Sequence, residues 1–325
     1  MGIQPRAAGT TKLDISVRPL QENDLPAADH IMRLAFGTFL GLPEPTAFMG
    51  DASYVRTRWL TDPSAAFGAE VSGELVGSNF ATNWGSVGFF GPLTIRPDLW
   101  DLGAGKRLME PIMECFTRWR TRHAGLFTFA QSQKHVGLYQ KFGFWPRFLT
   151  AIMSKPVEKS GRESRRTRFS EVPESEREGI LLACRQLTDA IYEGLDVGLD
   201  VRAVANQGLG DTVLLLDDGG VTGLAVCHCG AGTEAGSGAC YAKFGVVRPS
   251  PTAGQNFDRL LDACEEMAAE KGLSHLVAGV NTARHKAYCQ MLERGFRTNL
   301  QGVAMQRPNE PGYNRPGVCL IDDWR

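Results

Sequence analysis

The chain has 325 residues, room for about two domains at ~150 residues each. Hydrophobic residues make up 43% and charged residues 22%, the usage of an ordinary globular protein, which excludes a disordered or low-complexity chain. Lys plus Arg number 35 against 36 for Asp plus Glu, so a net charge of −1 offers no bulk attraction to a nucleic-acid backbone or an anionic membrane.

No stretch approaches the ~20 apolar residues that span a bilayer. Met1 to Lys12 has no apolar block, so no secretory leader is expected, and Arg6 breaks the myristoylation pattern that Gly2 would begin. Eight cysteines, at 115, 184, 227, 229, 240, 264, 289 and 319, read as the thiols of a reduced, cytoplasmic protein and not as a disulfide framework. Cys227-His228-Cys229 reads as a strand with both sulfurs on one face and the imidazole on the other; no second ligand pair stands nearby at zinc spacing, so no metal is expected.

In chain order, the patterning predicts a strand at 15–20, a helix at 27–35, and strands at 66–71, 74–82 and 86–95, with turns at Ser72-Gly73 and Trp84-Gly85. A helix at 103–122 follows, with the apolar stripe Leu108, Ile112, Cys115, Phe116 and Trp119. Then come a strand at 126–130, a helix through Leu138 and Tyr139, and a strand from Phe144. The segment 154–168 is polar and charged, a linker composition, and its run Arg162, Arg165, Arg166 and Arg168 reads as solvated.

A shift of 152 positions then lays Ile95-Arg96-Pro97 on Val247-Arg248-Pro249, Arg107-Leu108 on Arg259-Leu260 and Gly143-Phe144 on Gly295-Phe296. A strand at 239–247 precedes a helix with Phe257, Leu260, Leu261, Cys264 and Met267 on one face, then a strand at 273–280 and a helix ending before Gly295. The expected organisation is therefore two α/β units, residues 1–153 and 169–325, joined by a linker at 154–168, each a mixed sheet with helices on its faces.

The segment Leu93 to Leu108 carries chemistry. A strand ends at Pro97, and a loop enters a long helix through Gly103-Ala104-Gly105. The first turn of a helix leaves N–H groups unpaired and its dipole favours negative charge, while glycines allow close approach of a bulky anion such as a pyrophosphate. Lys106 and Arg107 add positive charge; Asp98 and Asp101 oppose it. The third glycine of a dinucleotide fingerprint is missing.

With Leu138-Tyr139-Gln140-Lys141-Phe142-Gly143-Phe144 further on, this segment resembles the GNAT superfamily of acyl-CoA N-acyltransferases. The resemblance is good over 15–153 and weak over 168–305, with Trp100 standing where the family has Arg or Gln. It implies tandem GNAT-like domains, each a mixed, mostly antiparallel sheet with a splayed parallel strand pair, and acetyl-CoA as co-substrate without a metal. Backbone groups of Leu93, Thr94 and Ile95 would take the pantetheine arm. Amides of Leu102, Gly103, Ala104, Gly105 and Lys106 would hold the pyrophosphate, and an N–H near Leu93 the tetrahedral intermediate. Tyr139 is the expected acid for the departing thiolate, and Phe36, Phe39 and Phe48, with Met49, the apolar wall of the acceptor site.

The implied reaction is direct attack by a primary amine of a small-molecule acceptor in a ternary complex, with neither nucleic acid nor membrane as partner and with monomer and homodimer both open. A non-catalytic acyl-CoA-binding or regulatory module, a hydroxyl acceptor and another acyl-CoA are the alternatives. Strand 86–95 has no acid or His to serve as base; Glu44, Glu70 and His135 are weighed, with His135 read as a surface side chain. Gln255, Phe257 and Met291 replace Gly103, Gly105 and Tyr139 in the second half, which reads as a degenerate copy, with Tyr288 one turn from the lost tyrosine.

Overall fold

β1 (Ile15–Pro19), β2 (Ala66–Val71) and β3 (Glu74–Trp84) pair antiparallel in succession, β2 and β3 as a hairpin around the Ser72-Gly73 turn with continuous buried runs in both strands. Before β2, the chain forms α1 (Leu25–Leu40), which ends at Gly41 with a left-handed φ of 70°, and the short α2 (Val55–Thr61). The structure, a computed structural model, describes residues 14–158 and 166–325.

The strand expected at 86–95 is two strands. β4 (Val87–Phe90) pairs with the far end of β3, and β5 (Thr94–Ile95) pairs with β3 at Gly77 and Ser78. Between them Gly91, at φ 142°, steps the chain along β3, a break that an unbroken apolar run does not announce. α3 (Ala104–Arg118) buries Leu108, Ile112, Cys115 and Phe116, the stripe expected of it. β6 (His123–Thr128), α4 (Gln133–Gln140) and β7 (Trp145–Pro156) complete the first half.

The second half runs β8 (Thr167–Arg168), α5 (Glu174–Asp189), α6 (Gly198–Gln207), β9 (Gly210–Asp217), β10 (Gly220–Gly230), β11 (Gly236–Val247), α7 (Ala253–Glu270), β12 (His275–Asn281), α8 (His285–Glu293), β13 (Arg297–Arg307) and β14 (Leu320–Asp322). On β10 the expected alternation holds: Cys227 lies 3.8 Å from Cys264 of α7, and the His228 ring meets Tyr241 on the other side.

All of these strands join one mixed sheet, in the order β1-β2-β3-β4-β6-β13-β7-β12-β11-β10-β9-β8, with β5 on β3 and β14 on β11. Two neighbouring pairs are parallel, β4 with β6 and β11 with β12. At the centre the halves exchange strands: β13 lies between β6 and β7, and β7 lies between β13 and β12. The residues at 154–156, expected in a linker, are therefore strand, paired with 275–277. Arg166 and Arg168 are not solvated either: they dock on α7, where Arg166 meets Glu266 at 3.3 Å and both meet Glu270. Arg162 and Arg165 lie outside the described residues.

One core cluster knits the halves together, with Trp84 packed edge-on against Phe89 of the first half at 4.7 Å and Phe244 of the second at 5.0 Å between centroids. Beside it runs a buried charge network. Arg58 of α2 reaches Glu234 at 3.0 Å, Glu234 and Asp200 share Lys243, and the Trp84 indole donates to Asp200. Two cations meet two carboxylates, so the burial leaves no net charge. No helix among the described residues is long and apolar enough to cross a membrane.

Candidate active site

The parallel register of β4 and β6 covers only Val87 to Phe89 against His123 to Gly125. Beyond it the strands part, because β4 steps away through Gly91 while β6 runs on beside β13. Two cavities open there. An apolar pocket of about 170 Å³ lies between Phe90 to Leu93 and Leu126 to Phe129, and a cleft of about 610 Å³ runs from Leu93 to Ile95 out to the first turn of α3. Phe36, Leu93 and His135 line both, so the two adjoin.

At the outer end of the cleft, Gly103 takes φ 93° before α3 begins, a conformation that favours glycine. The N–H groups of Leu102, Gly103, Ala104 and Gly105 have no hydrogen-bond partner among the described residues, whereas that of Lys106 turns back to the Gly103 carbonyl at 3.1 Å. Four of the five expected donors are thus free. The Leu102 side chain points to solvent and does not line the cleft. A Cβ on Gly105 would touch only Leu138 and Leu93, at 3.4 and 3.7 Å, so the cleft wall there is bare backbone.

The acidic residues of the loop are neutralised, but not by the expected cations. Asp98 pairs with Arg96 at 2.8 Å and Asp101 with Lys134 at 2.6 Å, while Arg107 turns to Glu110. Trp100 fills the place of the missing Arg or Gln. Its indole donates to the Ile95 carbonyl at 2.7 Å, and Lys134 lies 5.4 Å from its ring centre. The free amides and the balanced loop suit a diphosphate, which needs donors more than formal charge.

At the inner end, Tyr139 is buried with its ring edge-on to Phe90 at 5.5 Å. Its hydroxyl has no protein partner among the described residues, and burial pushes its pKa up, so it holds its proton at neutral pH. The Leu93 N–H is likewise free and stands where the cavities meet. Phe36 stacks on Phe48 at 5.3 Å, and both line the apolar pocket with Met49; Phe39 instead lines the outer cleft and packs on His135 at 5.0 Å.

His135 is half-buried between the cavities and not on the surface, because the first turn of α4 faces α1. Burial and then Lys134 lower its pKa, which keeps the imidazole neutral. Glu70 is held by Arg18 at 2.6 Å on the sheet, and Glu44 is exposed; neither lines a cavity, and no Asp or Glu side chain lines the apolar pocket.

Sequence reasoning missed Tyr54, Leu300, Trp324 and Arg325, which also line that pocket. Arg58, missed as well, donates to the Gly91 carbonyl at the point where the strands part and to the backbone oxygen of Arg325. Nothing local distinguishes these residues from ordinary core.

A parallel pair opened at its end, with unpaired helix-start amides at one mouth and an apolar chamber at the other, defines an acyltransferase fold. Comparison with known proteins agrees. Residues 30–144 match the family described as "Acetyltransferase (GNAT) family". Over those residues the chain carries a GNAT acetyltransferase domain.

Among solved structures it is similar to a candidate acetyltransferase from Pyrococcus horikoshii (14% identity, TM-score 0.65, 95% of each chain covered). It is also similar to GCN5-related N-acetyltransferases from Sphaerobacter thermophilus (15%, TM-score 0.58, 94% and 97% covered) and Anabaena variabilis (14%, TM-score 0.51, 90% and 72% covered). A comparison with curated protein sequences gave no match.

Proposed function

We propose that the first half transfers an acetyl group from acetyl-CoA to the primary amine of a small, partly apolar molecule, by direct attack while both are bound. The observation that carries this reading is the shared wall of cleft and pocket: free amides stand at one end, Tyr139 at the other, and the unpaired Leu93 N–H between them.

In this reading Leu102 to Gly105 hold the pyrophosphate through their amides, and the main chain of Leu93 to Ile95 takes the pantetheine arm. The Leu93 N–H meets the oxygen that turns negative as the amine attacks. Tyr139 passes its proton to the departing thiolate and recovers one from the amine as the amide forms, so the net transfer is from nitrogen to sulfur and the buried hydroxyl ends protonated as it began. Phe36, Phe48 and Met49 exclude water around the acceptor, and Phe39 belongs to the cofactor side. The division into catalytic residues 1–153 and degenerate residues 169–325, no nucleic-acid or membrane partner, and a place in the cytoplasm belong to the same proposal.

Release of CoA thiol over a panel of amines tests it, together with a titration of acetyl-CoA. The lack of any Asp or Glu side chain in the pocket favours one second reading, a module that binds acyl-CoA without turnover. Saturable binding with no thiol release from any amine or alcohol would select that reading.

A further inference from the structure

The second half has its own parallel pair, and it parts in the same way. β11 and β12 pair from Ala239 with His275 to Ala242 with Ala278, and beyond that point they separate. In the first half the corresponding opening is the cleft. In the second it is filled by the chain itself: β14 pairs antiparallel with β11 at Phe244 to Val246. Under the 152-residue shift, Gly245 and Val246 stand where Leu93 and Thr94 stand in the first half. The peptide 320–322 thus takes the main-chain hydrogen bonds that the pantetheine arm would take. The fit is close. Gly245 leaves room for Ile321, which is fully buried, and a Cβ on Gly279 would collide with Asp323.

The filling segment does not stop in the second half. Two residues after β14, Trp324 reaches the apolar pocket of the first half, where its six-membered ring lies against Gly125 of β6, so close that no Cβ fits between. Its φ of 54° is unusual for a bulky residue, so its surroundings must hold it there.

A buried polar relay does so. Arg284, at the start of α8 and fully buried, donates to the Asp322 carboxylate at 2.7 Å and to the Asp322 carbonyl at 3.0 Å. The Tyr313 hydroxyl donates to the other carboxylate oxygen and accepts from the Trp324 indole at 2.9 Å.

We infer that the second half is a holder for the acceptor pocket: its own cleft is occupied by β14, and Arg284 acts through Asp322 and Tyr313 as a positioning residue that sets Trp324 as the wall selecting the acceptor. This inference rests on the proposed acetyl transfer in the first half. It assigns the degenerate half a role in acceptor choice and none in cofactor binding.

The test combines stoichiometry with kinetics. Titration calorimetry of the full chain should give one acetyl-CoA per chain; two equivalents would overturn the occupied second cleft. Trp324→Ala and Tyr313→Phe should each change the ranking of an acceptor panel and raise the KM of the best acceptor about tenfold. The KM and Kd of acetyl-CoA should stay within about twofold. Arg284→Gln should act in the same direction and Arg284→Lys should recover much of the loss. Arg284→Gln leaves Asp322 short of a partner and risks the fold, so Tyr313→Phe, which removes only one hydroxyl, decides the matter. Unchanged acceptor ranking in Trp324→Ala and Tyr313→Phe, with normal acetyl-CoA binding, would remove this inference alone. Failure of the unmodified chain to bind acetyl-CoA would remove the transfer on which it rests.

Discussion

The indole N–H of Trp100 donates to the main-chain oxygen of Ile95 at 2.7 Å, and this bond folds the loop after β5 back onto the strand it has just left. A side chain that departs from the family pattern therefore braces the amides instead of reaching the anion. Trp100→Phe should lose about 1 kcal/mol of loop order, seen as a roughly fivefold weaker acetyl-CoA titration with little change in turnover at saturation.

Gly105 should separate packing from binding. Because its Cβ position meets only Leu138 and Leu93, at 3.4 and 3.7 Å, Gly105→Ala should melt within a degree or two of the parent. Gly105→Phe, which copies Phe257 of the second half, should abolish acetyl-CoA binding while the fold survives. Thermal melts with and without acetyl-CoA check both.

Tyr139→Phe removes one hydroxyl from a buried aromatic cluster. Turnover should fall by about 10²-fold or more, and the Kd of acetyl-CoA should hardly move. Burial raises the tyrosine pKa above its ordinary value of 10.0, so the proton donor persists to that pH and beyond. The pH–rate profile of the parent should consequently show no alkaline fall assignable to Tyr139 below pH 10. Such a fall, lost in the Phe variant, would contradict the environment described.

Arg58 holds three partners at once: the Glu234 carboxylate, the Gly91 carbonyl and the backbone oxygen of Arg325. Arg58→Met strips Glu234 of one of its two cations and leaves those oxygens without that donor. Urea unfolding should show a loss of about 3–5 kcal/mol. Glu234→Gln should cost less, since its amide can still accept from Arg58.

Two buried histidines set the acid limit. Burial lowers both His123 and His228 from 6.5 to about 4, and the Nδ1 of His228 accepts the Glu234 N–H, as a neutral ring must. The folded state therefore binds fewer protons than the unfolded one between those pH values. Stability is full above pH 6.5 and falls as pH drops toward about 4, by roughly 3 kcal/mol per histidine. His228→Gln should flatten part of that fall in urea titrations run across this range.

Much of the scaffold could be read from the chain alone because it is local. The stripes of α3 and α7, the Ser72-Gly73 hairpin and the glycine entry to α3 are set by neighbours within a few residues, and they lie where expected. α5 and α6 were not anticipated, although Leu181, Cys184, Leu187 and Val201, Val204 recur at helical spacing.

What could not be read is long-range. The break between β4 and β5 depends on which part of β3 each strand pairs with. The place of β13 depends on partners 143 to 183 residues away, to which its own pattern is blind. Trp324 enters the pocket only because β14 is seated elsewhere, and no local periodicity carries that information.

The exchange of β7 and β13 also governs how the protein can be made and divided. While residues beyond 158 are still being synthesised, β6 has a neighbour on one side only, β4, and β7 has none, and their open edges invite other chains. A fragment cut in the middle would expose the same edges and should self-associate, with two copies lending each other the strand that one long chain supplies to itself. Fusion of the halves into a single polypeptide is thus a safeguard during synthesis, and a gene split at this point would need both products translated side by side.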